Sequence, residues 1–161
     1  MSARAVVDSL EFAQSGQHLR GTVPVAELTR LADSLFDAGG ELTYELTGGH
    51  DDRQRPRLEL AVGGSINLTC QRCLGSLAYA VGVQASLLVL TEQAGDETAD
   101  LDDLDGVPAN LHTDVWSVVE DEVILAIPLS PRHAEGACNQ AVRVAASNTA
   151  SPFAILAKLK Q

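Results

Sequence analysis

The feature that most constrains this chain is a stretch from Glu41 to Thr91 in which apolar and polar residues alternate. Alternation of period two places one set of side chains on each face of a β-strand. The alternating runs are separated by polar, glycine-containing connections at 48–56 and 73–76, which predicts antiparallel strands joined by hairpins. Gly63-Gly64 interrupts the middle run and predicts a bulge or bend.

Two segments of helical periodicity flank these strands. The first begins at Pro24 and ends before Gly39-Gly40, which are typical start and stop signals. The second begins at Asp114, a favourable N-cap residue, and runs to about Ile127. Two short strands, over 6–12 and 18–23, are predicted to precede the first helix. These elements predict a single α+β domain over 1–161, with a twisted antiparallel sheet of about four to six strands covered by two helices.

Charge is concentrated in one window of the chain. The net charge is -11, and the segment from Glu92 to Glu122 holds eleven acidic residues and no Lys or Arg. Residues 92–112 also contain two glycines and a proline, and they predict a long flexible acidic loop. Such a surface repels nucleic-acid phosphates. It is either a solvated loop or a binding site for a basic partner.

The C-terminal region predicts a poorly ordered linker at 134–150 and a short helical tail at 151–161. Phe153, Leu156 and Leu159 form one stripe of this tail, and Lys158 and Lys160 lie in its last turn. No apolar run approaches the roughly 18 residues that a membrane span requires, and the N-terminus lacks a signal region. We therefore expect a cytoplasmic protein without a membrane partner.

Three cysteines and one histidine could form a metal site. Cys70 and Cys73 form a CxxC pair, and His133 and Cys138 follow with the spacing H-x4-C. Three sulfurs and one imidazole are a valid tetrahedral zinc set. Two interpretations stay open: a zinc site, or small buried cysteines beside an exposed histidine. A redox role is disfavoured because the CxxC lies between strands and not at the start of a helix.

The helix predicted from Asp114 carries an unusual carboxylate. Its periodicity places Glu122 in the middle of the apolar face and turns Glu120 and Asp121 away from it. A carboxylate on an apolar face needs a partner, and Arg72 is the candidate for a buried ion pair. Alternatively, the helix ends early and residues 123–127 form a strand, which would expose Glu122.

Four motifs occur in order along the chain: a CxRC at 70–73, the segment VVEDEVILAIP at 118–128, a P-x-H-x4-C at 131–138 and a terminal P-F-x-x-L-x-x-L-K at 152–160. This order resembles the YceD family, the large ribosomal RNA subunit accumulation proteins. The resemblance covers roughly the last two thirds of the chain. It implies a role in the synthesis, processing or accumulation of large-subunit (23S) ribosomal RNA, and it implies no catalytic reaction.

The resemblance makes a ribosomal RNA precursor or an assembling large subunit the expected partner. The alternative is an acidic adaptor that binds a basic ribosomal protein or nuclease without touching RNA. We expect no enzymatic activity and no small-molecule substrate, because no nucleophile–base pair or phosphate-binding glycine loop is present. The basic side chains that could contact RNA or a partner are Arg53, Arg55, Arg57, Arg72, Lys158 and Lys160.

Overall fold

The computed structural model describes residues 4–91 and 106–138. Short elements come first, three long strands follow, and one long helix closes the described chain. In chain order the elements are β1 (Val6–Val7), α1 (Ser9–Gln14), β2 (His18–Pro24), two 3₁₀ turns (Val25–Glu27 and Thr29–Ser34), β3 (Glu41–His50), β4 (Pro56–Thr69), β5 (Ser76–Leu90), β6 (Gly106–Pro108), β7 (Thr113–Asp114) and α2 (Val115–Ala126).

The alternating stretch forms the predicted hairpins. β2, β3, β4 and β5 pair antiparallel in that order, and the short β6 adds parallel to β5, which makes a five-stranded sheet. The β4–β5 pairing is the longest, with a register from Arg57 opposite Leu88 to Thr69 opposite Ser76. β1 and β7 form a separate two-stranded pair. The predicted α+β fold with a mostly antiparallel sheet is confirmed.

The core lies on one face of this sheet, where alternate strand residues meet the helices. Leu42, Leu46, Leu58 and Leu60 are fully buried there. α1 packs against β3 and β4, and α2 packs against β5 and β4. Gly48 permits the close approach of α1, because a Cβ at this position would lie 2.1 Å from the Phe12 carbonyl oxygen.

The helix predicted after Pro24 consists instead of the two 3₁₀ turns. Leu28 separates them with backbone angles of φ -88° and ψ 77°, which are not helical. A 3₁₀ helix has three residues per turn, so residues three apart lie on one line. Val25 in the first turn, Leu28 at the junction and Leu31 in the second turn all reach the core, and each is at most 1% exposed. Spacing alone did not distinguish this arrangement from an α-helix.

The predicted strand over 6–12 is also corrected. Only β1 is extended there, and α1 follows it, because the Asp8 carboxylate caps the helix by accepting from the N–H groups of Leu10 and Glu11.

Gly63 and Gly64 lie inside a continuous β4, where Gly64 has a φ of +146°. At α2 the prediction is confirmed: Asp114 is the N-cap and accepts from the Trp116 N–H.

The acidic window is described only in part. Residues 106–108 of the predicted 92–112 loop form β6, and 92–105 lie outside the described residues. The predicted linker is described only for 134–138, and the tail at 151–161 lies outside. Within 4–91 and 106–138, no helix is long and apolar enough to cross a membrane.

Candidate metal centre

The CxxC lies in the tight turn that joins β4 to β5. The N–H of Leu74 donates to the Cys70 carbonyl at 2.8 Å, and the N–H of Cys70 donates to the Gly75 carbonyl at 2.9 Å. Leu74 adopts a φ of +58°, the left-handed conformation that closes such a turn. The turn brings the Cys70 and Cys73 side chains together, and both are buried.

The segment after α2 returns to this turn. The N–H of Gln71 donates to the Pro131 carbonyl at 2.8 Å. Arg72 holds the same segment through one guanidinium nitrogen, which donates to the carbonyls of His133 and Ala134, each at 3.1 Å. These contacts bring His133 and Cys138 to the two turn cysteines from about sixty residues away.

The four side chains have the spacing of a tetrahedral metal site. The Sγ atoms of Cys70 and Cys138 are 3.9 Å apart, and His133 Nδ1 lies 3.5 Å from Cys73 Sγ and 3.7 Å from Cys138 Sγ. All four ligand atoms lie within 4.8 Å of one another. Tetrahedral zinc, with Zn–S about 2.3 Å and Zn–N about 2.0 Å, requires about 3.8 Å between sulfurs and about 3.6 Å between sulfur and nitrogen. The donor set therefore fits zinc in type and in spacing.

The imidazole of His133 is oriented for a ligand at Nδ1. Its Nε2 lies 2.9 Å from the Ser76 carbonyl oxygen, which can only accept, so Nε2 carries the proton. Nδ1 then presents its lone pair to the sulfurs. A backbone carbonyl that fixes the tautomer in this way is the usual support for a metal-bound histidine.

The surroundings of Cys70 favour a thiolate. Burial opposes ionisation, but the N–H groups of His133, Arg72 and Cys73 donate to the sulfur and outweigh it, so the pKa of Cys70 falls to about 5. Backbone N–H groups stabilise an anionic sulfur in the same way as they stabilise a carboxylate. This turn is therefore prepared for the deprotonated form that binds metals.

The remaining cysteines differ from Cys70. The Gly75 N–H favours the Cys73 thiolate, but burial and the neighbouring sulfurs of Cys70 and Cys138 raise the Cys73 pKa. Burial opposes ionisation of Cys138, and the Arg72 guanidinium, whose Nε lies 2.9 Å from the sulfur, lowers its pKa overall. Sulfurs this close cannot all be thiolates without a counter-ion, because their negative charges repel one another. A bound cation removes this repulsion.

The pKa of His133 is raised by its contacts with the Cys138 and Cys70 sulfurs. None of the three cysteines is in a disulfide bond. The cluster is therefore compatible with a zinc site.

Arg72 and Glu122 are not placed as a buried pair. Arg72 is exposed, and its guanidinium is directed to Cys138 and to the carbonyls of His133 and Ala134. Glu122 is half-buried on α2. This corrects the predicted interior ion pair. The buried carboxylate of α2 is Glu120, which is 5% exposed.

Glu120 is the buried structural carboxylate that the sequence reasoning missed. One oxygen accepts from the N–H groups of Arg30 and Leu31 at 2.6 and 3.1 Å, and the other accepts from Arg30 Nε at 2.9 Å. Trp116 could have indicated this position. It is buried and lies four residues before Glu120, which places Glu120 on the same apolar face of α2. Glu120 thus joins α2 to the second 3₁₀ turn.

The predicted basic contacts are divided between two places. Arg53, Arg55 and Arg57 lie in and just after the β3–β4 hairpin, whereas Arg72 lies at the opposite end of β4. β4 has fourteen residues. At 3.3 Å per residue, its ends are up to about 40 Å apart. Lys158 and Lys160 lie outside the described residues.

Comparisons with known proteins agree with these motifs. The family model described as "Large ribosomal RNA subunit accumulation protein YceD" matches residues 58–160, more than half of the chain. A protein of that name from Haemophilus influenzae (strain ATCC 51907 / DSM 11121 / KW20 / Rd) is 28% identical over 96% of this chain and 94% of its own length. No solved structure matches the chain. The matched region includes β4 from Leu58 onward, the CxxC turn, α2 and the His133–Cys138 segment, and the chain therefore belongs to the YceD family.

Proposed function

We propose that this protein is a ribosome-biogenesis factor that supports the accumulation of large-subunit ribosomal RNA in the cytoplasm. The observation that carries the proposal is the family match over 58–160, which spans both halves of the Cys/His cluster. The expected partner is a ribosomal RNA precursor or the assembling large subunit, with a basic ribosomal protein or nuclease as a further candidate. The family description names accumulation and no reaction, and we infer a non-enzymatic role.

We also infer that Cys70, Cys73, His133 and Cys138 hold one zinc ion. Four protein ligands complete a tetrahedron and leave no position for water or substrate, which is typical of structural sites. Zinc bound there supplies a crosslink between the β4–β5 turn and the segment after α2. Two residues position the ligands: the Ser76 carbonyl fixes the His133 tautomer, and Arg72 contacts the Cys138 sulfur.

The charge distribution favours local RNA contact over a broad basic surface. The net charge is -11, and Arg20, Arg30, Arg55 and Arg57 are each paired with a carboxylate. A protein with this charge does not bind RNA through general attraction. The proposed contacts remain the basic residues of the two ends of β4 and of the C-terminal tail: Arg53, Arg55, Arg57, Arg72, Lys158 and Lys160.

The proposal is tested in cells that lack the gene. We expect the ratio of mature large-subunit to small-subunit ribosomal RNA to fall, and a wild-type copy to restore it. A copy carrying Cys73→Ser should restore it poorly, whereas Arg20→Gln, a change at an exposed surface pair, should restore it fully. An unchanged ratio in the cells that lack the gene would contradict the proposed function.

Direct contact is tested separately by salt titration of purified protein with precursor ribosomal RNA. Saturable binding that weakens linearly with the logarithm of salt concentration supports phosphate contacts. Absence of saturable binding at low salt would instead favour action through a protein partner.

A further inference from the structure

The five-stranded sheet has two edges, and the edge formed by β2 is protected. β2 has seven residues, carries His18 and Arg20 in ion pairs with Glu45, and ends on Pro24. Short length, charged side chains and proline are the features that prevent an edge strand from pairing with another chain. We therefore expect no further strand to add at β2.

The outer side of β5 is different. Within the described ranges 4–91 and 106–138, β5 meets a strand on this side only at Leu88–Leu90, where β6 lies. Residues 76–87 contain no Asp, Glu, Lys, Arg or Pro. The register with β4 is constant from Arg57 opposite Leu88 to Thr69 opposite Ser76, which leaves no bulge. This side of β5 therefore lacks the features that protect β2.

The hydrogen-bonding groups on the outer side belong to the even-numbered residues of β5. The Leu90 carbonyl accepts from the Ala109 N–H at 2.9 Å, and the Ser76 carbonyl accepts from His133 Nε2 at 2.9 Å. Backbone groups alternate in direction along a strand, so every second residue faces the same side. Between these two contacts, five residues present their N–H and C=O groups outward, and we call them the β5 edge: Ala78, Ala80, Gly82, Gln84 and Ser86.

The side chains also leave the β5 edge accessible. All five of its residues are exposed, and a Cβ at Gly82 would meet no atom within 4 Å. The odd-numbered residues between them point to the core side, where Val81 and Val83 are buried. A strand added here would extend both the hydrogen-bonded ladder and the apolar inner face of the sheet.

We propose that the β5 edge pairs antiparallel with the β5 edge of a second copy of this chain. Gly82 is the central residue of 78–86, so a twofold axis at Gly82 lets all five edge residues of each copy take part. Residues opposite one another in an antiparallel pair have their side chains on the same face. On the exposed face Ala80 then lies opposite Gln84 of the second copy, and on the core face Val81 lies opposite its Val83.

The distribution of charge favours a second copy over a charged partner. Two chains with a net charge of -11 repel one another over most of their surfaces. The uncharged β5 edge is a place where they can approach without placing like charges opposite one another. A basic partner would find no carboxylate on this edge to pair with.

The proposed assembly also closes. Each copy uses the same edge, which makes the interface isologous, and the protected β2 edge does not add a third chain. The inference rests on the edges of the sheet, and it depends neither on zinc nor on the proposed function.

The first test uses the wild-type, full-length protein over a concentration series. Sedimentation velocity should show an equilibrium between monomer and dimer. In hydrogen exchange followed by NMR, the amides of the β5 edge should gain protection as the concentration rises. The amides of Val81 and Val83, which face β4, should be protected at every concentration and serve as the internal control.

Two results of this series would overturn the proposal. One is a monomer at every concentration. The other is protection of the β5 edge amides that does not change with concentration, which would show that a segment of the same chain covers the edge.

A charge swap tests the register. Ala80→Lys combined with Gln84→Lys places lysine opposite lysine twice in the dimer, and it should weaken dimerisation about tenfold although it lowers the net negative charge. The matched control combines Ala80→Lys with Gln84→Glu, which places opposite charges together and should preserve the dimer. Within one chain the two positions are about 13 Å apart along the strand, too far to pair with each other.

Equal dimerisation by these two double variants would contradict the proposed register and overturn the inference. Thermal unfolding of both variants shows whether each is folded. The concentration series on the wild type needs no substitution, so it decides the proposal even if a variant fails to fold.

Discussion

The turns at the two ends of β4 are stabilised by different kinds of contact. The β3–β4 turn is local, because Asp51 bonds to groups at most four residues away. The β4–β5 turn depends on residues about sixty positions later, through Pro131, His133 and Cys138. The β3–β4 turn is maintained by its own sequence, whereas the β4–β5 turn requires the segment 131–138 to return to it. The second turn is therefore where a metal would contribute most to stability.

Removal of zinc should have the largest effect and should affect only one turn. A ligand present at a thousandfold its dissociation constant stabilises the folded state by about 4 kcal/mol. We expect chelation or Cys73→Ser to lower the free energy of unfolding by a comparable amount. Hydrogen exchange should accelerate at 70–76 and 131–138 and stay unchanged at 51–55. Equal acceleration at both turns would contradict the claim that zinc stabilises only the β4–β5 turn.

Glu120 tests whether α2 and the second 3₁₀ turn hold the distant contacts in place. Glu120→Ala leaves the N–H groups of Arg30 and Leu31 without their acceptor. A buried donor left unsatisfied costs about 1–3 kcal/mol, so we expect a loss of about 3 kcal/mol in denaturant unfolding. Asp121→Ala, which removes only an exposed ion pair with the same arginine, should cost less than about 1 kcal/mol. Equal costs would show that Glu120 is not the joining group.

Asp51 tests the local turn. Asp51→Ala removes hydrogen bonds from two N–H groups and one guanidinium and should cost about 1–2 kcal/mol. The folded-state pKa of Asp51 is lowered, so its contribution is full above the unfolded value of about 3.9 and is lost as pH falls toward the folded value. The difference between wild type and Asp51→Ala should therefore shrink below about pH 4. A difference independent of pH from 2 to 7 would contradict this.

The smallest expected effect lies in the residues that close each turn. Gln54 and Leu74 both adopt left-handed angles, with φ of 63° and 58°. This conformation costs a side chain roughly 1 kcal/mol, which glycine avoids, although glycine also loses more chain entropy on folding. Gln54→Gly and Leu74→Gly should each change the free energy of unfolding by less than about 1 kcal/mol in thermal melts. A loss above 2 kcal/mol at Leu74 would show that its side chain has a separate packing role.

The sequence predicted the parts of the fold that depend on local periodicity. The β2 to β5 strands and α2 follow from alternation, from helical spacing and from the cap at Asp114. The 3₁₀ turns after Pro24 were not predicted, because a three-residue spacing fits an α-helix equally well over so few turns. Helix α1 was not predicted, because the cap at Asp8 competes with a short extended pattern.

The sequence predicted which residues compose the candidate site but not the contacts that position them. Ligand type and motif order indicated Cys70, Cys73, His133 and Cys138, and the structure brings these four together. Arg72 was predicted to pair with Glu122, because residue types do not reveal which distant backbone carbonyls a side chain reaches. Its contacts with the segment 133–138 depend on how the chain returns after α2, which no local pattern specifies.

Elemental analysis tests the central claim most directly. The full-length protein is purified without chelator and compared with Cys73→Ser prepared in the same way. We predict about one zinc per chain in the wild type and close to none in the variant. A wild-type protein that contains no metal, and whose hydrogen exchange at the β4–β5 turn is unchanged by added zinc, would contradict the account.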